Sequence, residues 1–183
     1  RLIGISQPPM ERCAVFTFEC MDEMGDLVQR KLIAELMGRT CNLYLLSPEG
    51  RIIDCLRRIG LDESAKRQAL PGLYYQDPDP ITKKNPEELA EEDYVNLFSQ
   101  PGADLLAQRL MDELGGLSPL ICREASLFAA GSTDARIEGM DVDRAAAKLH
   151  LFFRENLTHP APWYYAQADG TPKQFAFCPI RQY

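Results

Sequence analysis

Three groups of residues have types and spacing that could do chemistry. Glu11 and Arg12 stand together after Gln7-Pro8-Pro9-Met10 and immediately before a strand-like run. A guanidinium held at such a turn can reach a phosphate or stack on an unpaired base. The neighbouring carboxylate can orient it or accept from a base edge. The bland alternative is an exposed strand-end ion pair, contributing at most about 1 kcal/mol. A second group, Glu35, Met37, Gly38 and Arg39, lies where an apolar strand enters a turn. Gly38 supplies a positive φ angle. Glu35 is a half-buried carboxylate that needs a partner, with Arg12 and Arg39 as candidates. Arg39 is the foremost nucleic-acid contact of this group, and equally well a solvated turn arginine. The third group is Gly115, Gly116 and Ser118, between two helical stripes. Outward-pointing amides at a helix N-terminus bind phosphate. Asp112 and Glu113 nearby would repel a nucleic-acid backbone, which makes simple helix-turn packing the plainer reading.

Other chemistry has little to stand on. The cysteines at 13, 20, 41, 55, 122 and 178 form no Cys-x-x-Cys pair, and the only histidines are His150 and His159. No zinc set is expected, and no Ser/His/Asp arrangement marks a nucleophile. Neither catalytic residues nor a cofactor are therefore expected. Several cysteines sit inside apolar runs and read as small hydrophobes, so a reduced, cytoplasmic protein is the simpler expectation than a disulfide-linked secreted one. No apolar run approaches the roughly 18–20 residues that span a bilayer. The chain opens on Arg1-Leu2-Ile3-Gly4-Ile5, already a strand and without methionine, as expected of a fragment. On that reading Ile3, Ile5 and Phe16 expose apolar surface through which the fragment self-associates.

The net charge of −7 comes entirely from one side of the sequence. Residues 1–70 are balanced at 10 basic and 10 acidic side chains, and the remainder holds 10 basic and 17 acidic. A protein that wraps a duplex should be basic. This one can touch nucleic acid only locally, or alongside a basic region elsewhere.

The elements that must position these residues fall into an α+β pattern. Leu2–Ser6, Cys13–Cys20, Arg30–Met37, Asn42–Leu46 and Arg51–Arg57 alternate with period two and predict an antiparallel meander. Ser47-Pro48-Glu49-Gly50 fits a type I turn. Pro71, Pro78, Pro80 and Pro86 mark a strap and a boundary, separating a β part at 1–80 from a helical part at 81–159. Asn85, Pro86 and Glu88 read as a helix start with a capping box. Ala103, Leu106, Leu110 and Leu114 form one stripe. Ser118-Pro119 starts a second helix, with Ile121, Ala125 and Phe128 inward and Gly131 closing it. Asp141 caps a third, with Val142, Ala146, Leu149 and Phe153 on one face. Residues 160–183 return to a β-hairpin around Asp169-Gly170.

The order of motifs carries a family resemblance. Glu23-Met24-Gly25-Asp26-Leu27, then Leu32 to Arg39, Asn42-Leu43 and Gly50 to Asp54 resemble the NFACT-N domain. Leu70-Pro71-Gly72 with the strap matches too. Gly115-Gly116-Leu117-Ser118-Pro119-Leu120 is similar to the family's helix-hairpin-helix insert, and Phe175 to Ile180 resembles the segment before its coiled coil. The resemblance implies a meander or sandwich-like part of NFACT-N, a small helix-hairpin-helix domain and a closing hairpin. It further implies a factor of ribosome-associated quality control. Such a factor binds a large ribosomal subunit obstructed by peptidyl-tRNA and recruits tRNA for C-terminal alanine tailing. The family's Asp-Arg pair after a Gln-x-Gly-x element falls on Glu11 and Arg12. Glutamate here replaces aspartate, and Pro9 stands at the usual glycine; Thr40-Cys41 replaces the usual His-Ser. Together with these two, Glu35, Met37, Gly38 and Arg39 become the expected tRNA-binding set.

Two other functions compete. The family's older fibronectin-binding name implies a surface adhesin, which would carry a secretion signal or anchor and paired or no cysteines. Kinship of fold with formamidopyrimidine glycosylases implies a DNA-binding domain, but those enzymes use an N-terminal proline nucleophile and a basic DNA-facing surface.

Overall fold

Five strands follow one another in sequence and in space: β1 (Leu2–Ser6), β2 (Cys13–Met21), β3 (Leu27–Glu35), β4 (Asn42–Leu46) and β5 (Ile52–Cys55). Every neighbouring pair is antiparallel, as the alternation predicts. This computed structural model describes residues 1–183 and divides them into two units, Arg1–Ile81 and Thr82–Tyr183. No helix is long and apolar enough to cross a membrane.

Strand ends differ from the expected ones for local reasons. β3 starts at Leu27 rather than Arg30 because the Asp22 carboxylate accepts the amides of Met24 and Asp26, each at 2.9 Å. That tight turn lets Met21 pair with Leu27. β3 ends at Glu35 because Met37 introduces a single 3-10 turn, Gly38–Thr40, closed by Thr40 Oγ1 donating to the Met37 carbonyl at 3.1 Å. β5 is only four residues long, with a register shift beside it at Leu45/Leu46.

The core of this unit lies on one face of the sheet. Cys13, Ile33, Tyr44, Leu46, Ile52 and Ala69 are buried there, packed by Val15, Cys55, Ile59 and Tyr75. The cover is the segment after β5. Ile59 and Ala69 exchange backbone hydrogen bonds, and Leu73 and Tyr75 bond back to Ile52 and Gly50. The start of the proline-containing strap is thus an ordered edge beside β5. The opposite face carries Phe16, Phe18, Leu32, Leu43 and Leu45, none of them fully buried. At its border Ile3 is 40% and Ile5 64% exposed. The face with the larger apolar side chains is therefore the open one, and the core forms where residues 59–75 fold over.

In the second unit, α1 (Glu91–Ser99), α2 (Leu106–Glu113), α3 (Pro119–Ala130) and α4 (Val142–Thr158) precede the hairpin of β6 (Trp163–Ala166) and β7 (Pro172–Ala176). The core joins Tyr94, Leu97, Leu106, Leu110, Ile121, Ala125, Leu149 and Phe153. Cys178, just past the hairpin, is buried in the same cluster, so residues 160–183 share the core of the helices. Ser118 caps α3, Gly131 ends it in the left-handed region, and Asp141 caps α4 by accepting from the Arg144 amide. Phe128, expected inward, is 39% exposed and rests against Phe152 at 5.6 Å between ring centroids.

One predicted start is misplaced. Asn85 and Glu88 close a local turn on themselves, and the first helix begins at Glu91, where the Asp93 carboxylate accepts the Ala90 amide at 2.8 Å. Two acid-capped starts compete within eight residues. The later one wins because it brings Tyr94, Leu97 and Phe98 into the core.

Two buried charges organise the helical unit. Arg109 is 4% exposed, and its guanidinium donates to the carbonyls of Leu97 (2.7 Å), Gln100 (2.8 Å) and Ala103 (3.0 Å). It satisfies the carbonyls that α1 leaves orphaned at its end. Glu124 is 3% exposed and accepts the amides of Arg181 and Gln182 at 2.8 and 3.0 Å, together with the Gln182 side chain at 2.9 Å.

Candidate functional site

One end of the five-stranded sheet gathers most of the expected residues. β2 begins there with Cys13 opposite Glu35, where β3 ends, and Glu35 lies opposite Asn42, where β4 begins. Arg12 extends the β2–β3 ladder by one step, its carbonyl accepting the Leu36 amide at 2.7 Å. Three residues further on, Arg39 sits in the 3-10 turn, with Gly38 at φ +62° as its conformational requirement. Arg12 and Arg39 are thus on the same rim of the sheet, both exposed. Neither guanidinium takes part in any of the molecule's ion pairs.

Glu11 does not pair with Arg12. Its side chain has no basic partner, and its carbonyl is held by the Gln7 side-chain amide at 2.6 Å. The turn beneath it explains how the chain accommodates Pro9. Glu11 donates its amide to the Pro8 carbonyl at 3.2 Å, and Met10 takes φ +59° at the third position of the turn. That is the type II arrangement, which favours proline second and glycine third. A methionine there is strained by roughly 1 kcal/mol. Met10→Gly is expected to raise the thermal midpoint of the sheet unit, by an amount equivalent to about 0.5–1 kcal/mol. Met10→Val should lower it by at least as much. Thermal melts by circular dichroism check both, and a destabilised glycine variant would refute the strain.

Glu35 is bound neither by Arg12 nor by Arg39, the partners its sequence context offers. It is 1% exposed, and Arg67 grips it with both terminal nitrogens: Nη1 reaches Oε2 at 2.9 Å and Nη2 reaches Oε1. Tyr75 adds its hydroxyl to Oε1 at 2.7 Å. Arg67 Nε donates to the Gln76 carbonyl at 2.7 Å, so the guanidinium ties β3 to the strap. Its Cζ lies 5.3 Å from the Tyr75 ring centre and 5.7 Å from that of Tyr44. Hydrogen bonding to Glu35 holds the Arg67 guanidinium more firmly protonated than usual. Burial, then the bond to Glu35, pushes the Tyr75 hydroxyl well above the ordinary tyrosine range. A carboxylate so enclosed does not meet a ligand directly. It fixes the end of β3, and with it the turn that carries Met37, Gly38 and Arg39.

Sequence reasoning missed Arg67, Tyr75 and the buried Asn42. The one signal was the unpartnered Glu35 itself, which requires a cation without saying where along the chain it lies.

The glycine hairpin belongs to the helical unit, and its donors are largely spent. The Gly115 amide gives to the Lys84 carbonyl at 2.9 Å, and Lys84 in turn gives to Glu113. Ser118 Oγ accepts the Ile121 amide, Cys122 bonds the Ser118 carbonyl, and Pro119 has no amide hydrogen. Gly116, at φ +72°, makes the turn. What the geometry supports there is helix-turn packing. No group of three His, Cys, Asp or Glu side chains is placed to hold a metal ion.

The family model described as NFACT N-terminal and middle domains matches residues 1–183. The protein of Bacillus subtilis (strain 168) called Rqc2 homolog RqcH is 35% identical over 123 residues, covering 66% of this chain and 21% of that protein. Its namesake in Streptococcus suis (strain 05ZYH33) is 31% identical over 96 residues, covering 52% of this chain and 17% of that protein. This chain therefore spans about a fifth of the length of the curated relatives it matches. Among solved structures, the N-terminal part of the fibronectin/fibrinogen-binding protein of Streptococcus suis superposes with a TM-score of 0.70 at 22% identity, over 99% of this chain and 60% of that one. The fibrinogen binding protein of Staphylococcus aureus gives 0.70 at 23%, over 100% of this chain and 63% of that one. At these identities the structural likeness speaks for the fold.

Proposed function

The chain belongs to the family of NFACT N-terminal and middle domains, and on that premise we propose that it is a non-catalytic RNA-recognition part of a cytosolic ribosome-associated quality-control factor. Its role is to hold tRNA while the whole factor sits on a large ribosomal subunit obstructed by peptidyl-tRNA and supports alanine tailing of the stalled product. The likeness to proteins called Rqc2 homolog RqcH supports this reading at the level of the family. The observation that carries it to a site is the rim of the sheet. Arg12 and Arg39 are exposed and free of carboxylate partners; the Arg12 carbonyl accepts the Leu36 amide, and Arg39 sits three residues further on in the 3-10 turn. Unpaired guanidiniums held by rigid backbone meet phosphate oxygens or splayed bases without first breaking an internal pair. A net acidic body can still do this, since local contacts position the RNA while basic regions elsewhere supply the bulk attraction. Glu11 has a free carboxylate beside Arg12 and accepts from a base edge. Glu35, Met37 and Gly38 set the turn.

Reversing both charges, Arg12→Glu with Arg39→Glu, in the full-length protein tests the reading. Filter binding to bulk tRNA should weaken by more than tenfold with the thermal midpoint unchanged. Unchanged retention eliminates this site. A matching fall in thermal stability makes the arginines structural instead.

A further inference from the structure

Arg57 enters the same rim by a route the sequence does not announce. It lies two residues beyond β5, yet its backbone is fastened to the first residue of β4. The Asn42 side chain donates Nδ2–H to the Arg57 carbonyl at 2.9 Å, and its Oδ1 accepts the Arg57 amide at 2.8 Å. The same Oδ1 takes the Leu43 amide at 3.0 Å. Asn42 is 2% exposed, so a buried side chain replaces a missing rung of the ladder. From that anchor Arg57 reaches across the 3-10 turn, and its Nη1 donates to the Arg39 carbonyl at 2.5 Å. The neighbouring Arg58 is drawn off by Asp54 at 3.6 Å, whereas Arg57 has no carboxylate.

The Arg57 guanidinium is therefore held against the backbone of Arg39, and neither arginine has a carboxylate partner. A fully buried asparagine and a backbone acceptor keep Arg57 at the turn that carries Arg39. One anion with several acceptor oxygens can take the remaining donors of the Arg57 fork together with the unpaired fork of Arg39. We propose that Arg57 and Arg39 together clamp one backbone phosphate of the bound RNA, with Asn42 as the positioning residue that keeps Arg57 in place. The inference rests on the RNA-recognition reading above and adds to it a phosphate seat beside the start of β4, on the rim that carries Arg12.

The experiment is fluorescence anisotropy of labelled tRNA titrated with the full-length protein at several salt concentrations, comparing wild type, Arg57→Met and Arg57→Lys. Arg57→Met keeps the aliphatic stem and should weaken binding about tenfold. It should also flatten the plot of log affinity against log salt by about 0.7–0.9, the signature of one lost phosphate contact. Arg57→Lys should retain the slope while losing part of the affinity, since a point charge replaces the fork. If Arg57→Met leaves affinity and slope as in wild type while Arg12→Glu with Arg39→Glu still weakens binding, the clamp is wrong and the rim reading stands. Wild-type protein that binds no tRNA overturns the rim reading and the clamp with it. Should Arg57→Met melt early, the lysine variant decides: a slope reduced despite its retained charge refutes the clamp.

Discussion

Arg67→Ala is expected to lower the unfolding free energy of the sheet unit by about 3–4 kcal/mol in urea melts followed by circular dichroism. The magnitude follows from what would be left behind. Glu35 is 1% exposed, and without Arg67 it keeps a single hydrogen-bond donor, the Tyr75 hydroxyl. Breaking a buried pair by removing one partner costs more than the pair itself contributes, because an uncompensated charge stays in a low-dielectric site. Glu35→Leu combined with Arg67→Met should therefore recover most of the loss, although it removes more polar groups than the single variant. A double variant as unstable as Arg67→Ala would contradict the argument. Tyr75 adds a dependence on pH. Its folded-state hydroxyl titrates above the unfolded value of about 10. The stability it contributes is therefore complete below that value and is lost as pH rises past it. Tyr75→Phe should flatten the alkaline side of the stability profile.

The second large effect belongs to the helical unit. Arg109→Met keeps a stem of similar length but leaves three carbonyls, those of Leu97, Gln100 and Ala103, without their donor. Each unsatisfied buried acceptor costs about 1 kcal/mol or more, so a loss of about 3 kcal/mol is expected. Trp163, the only tryptophan, lies in this unit, and its fluorescence can follow the transition. Gly102→Ala should act on the same device by steric means. A Cβ at Gly102 would stand 2.7 Å from Arg109 Nε and 2.9 Å from its Cζ. If Arg109→Met melts like wild type, the guanidinium is not what closes the end of α1.

Which parts of this molecule can be read from its sequence depends on the range of the interaction. The meander, the caps at Ser118 and Asp141 and the stop at Gly131 rest on residues a few positions apart, and local chemistry names them. The start of α1 misleads because Asn85 and Asp93 both offer a local solution, and only the burial of Tyr94, Leu97 and Phe98 selects between them. The α+β class and the NFACT resemblance were legible for the same reason, being carried by runs of neighbouring residues. The wiring of the rim was not. Glu35 finds Arg67 thirty-two residues later, and Asn42 finds Arg57 after fifteen. The first pair exists only once residues 59–75 have folded over one face of the sheet, and the second only once β5 has paired with β4. Period-two alternation likewise cannot tell which face that will be, and the phenylalanines were left on the other.

The Glu124 carboxylate gives the end of the chain a mechanical character. Arg181 and Gln182 are fastened to the middle of α3, whereas β6 and β7 form the preceding hairpin. A tug applied at Tyr183 reaches these bonds first and is passed to the helix, so the hairpin is shielded from load until the Glu124 latch gives way.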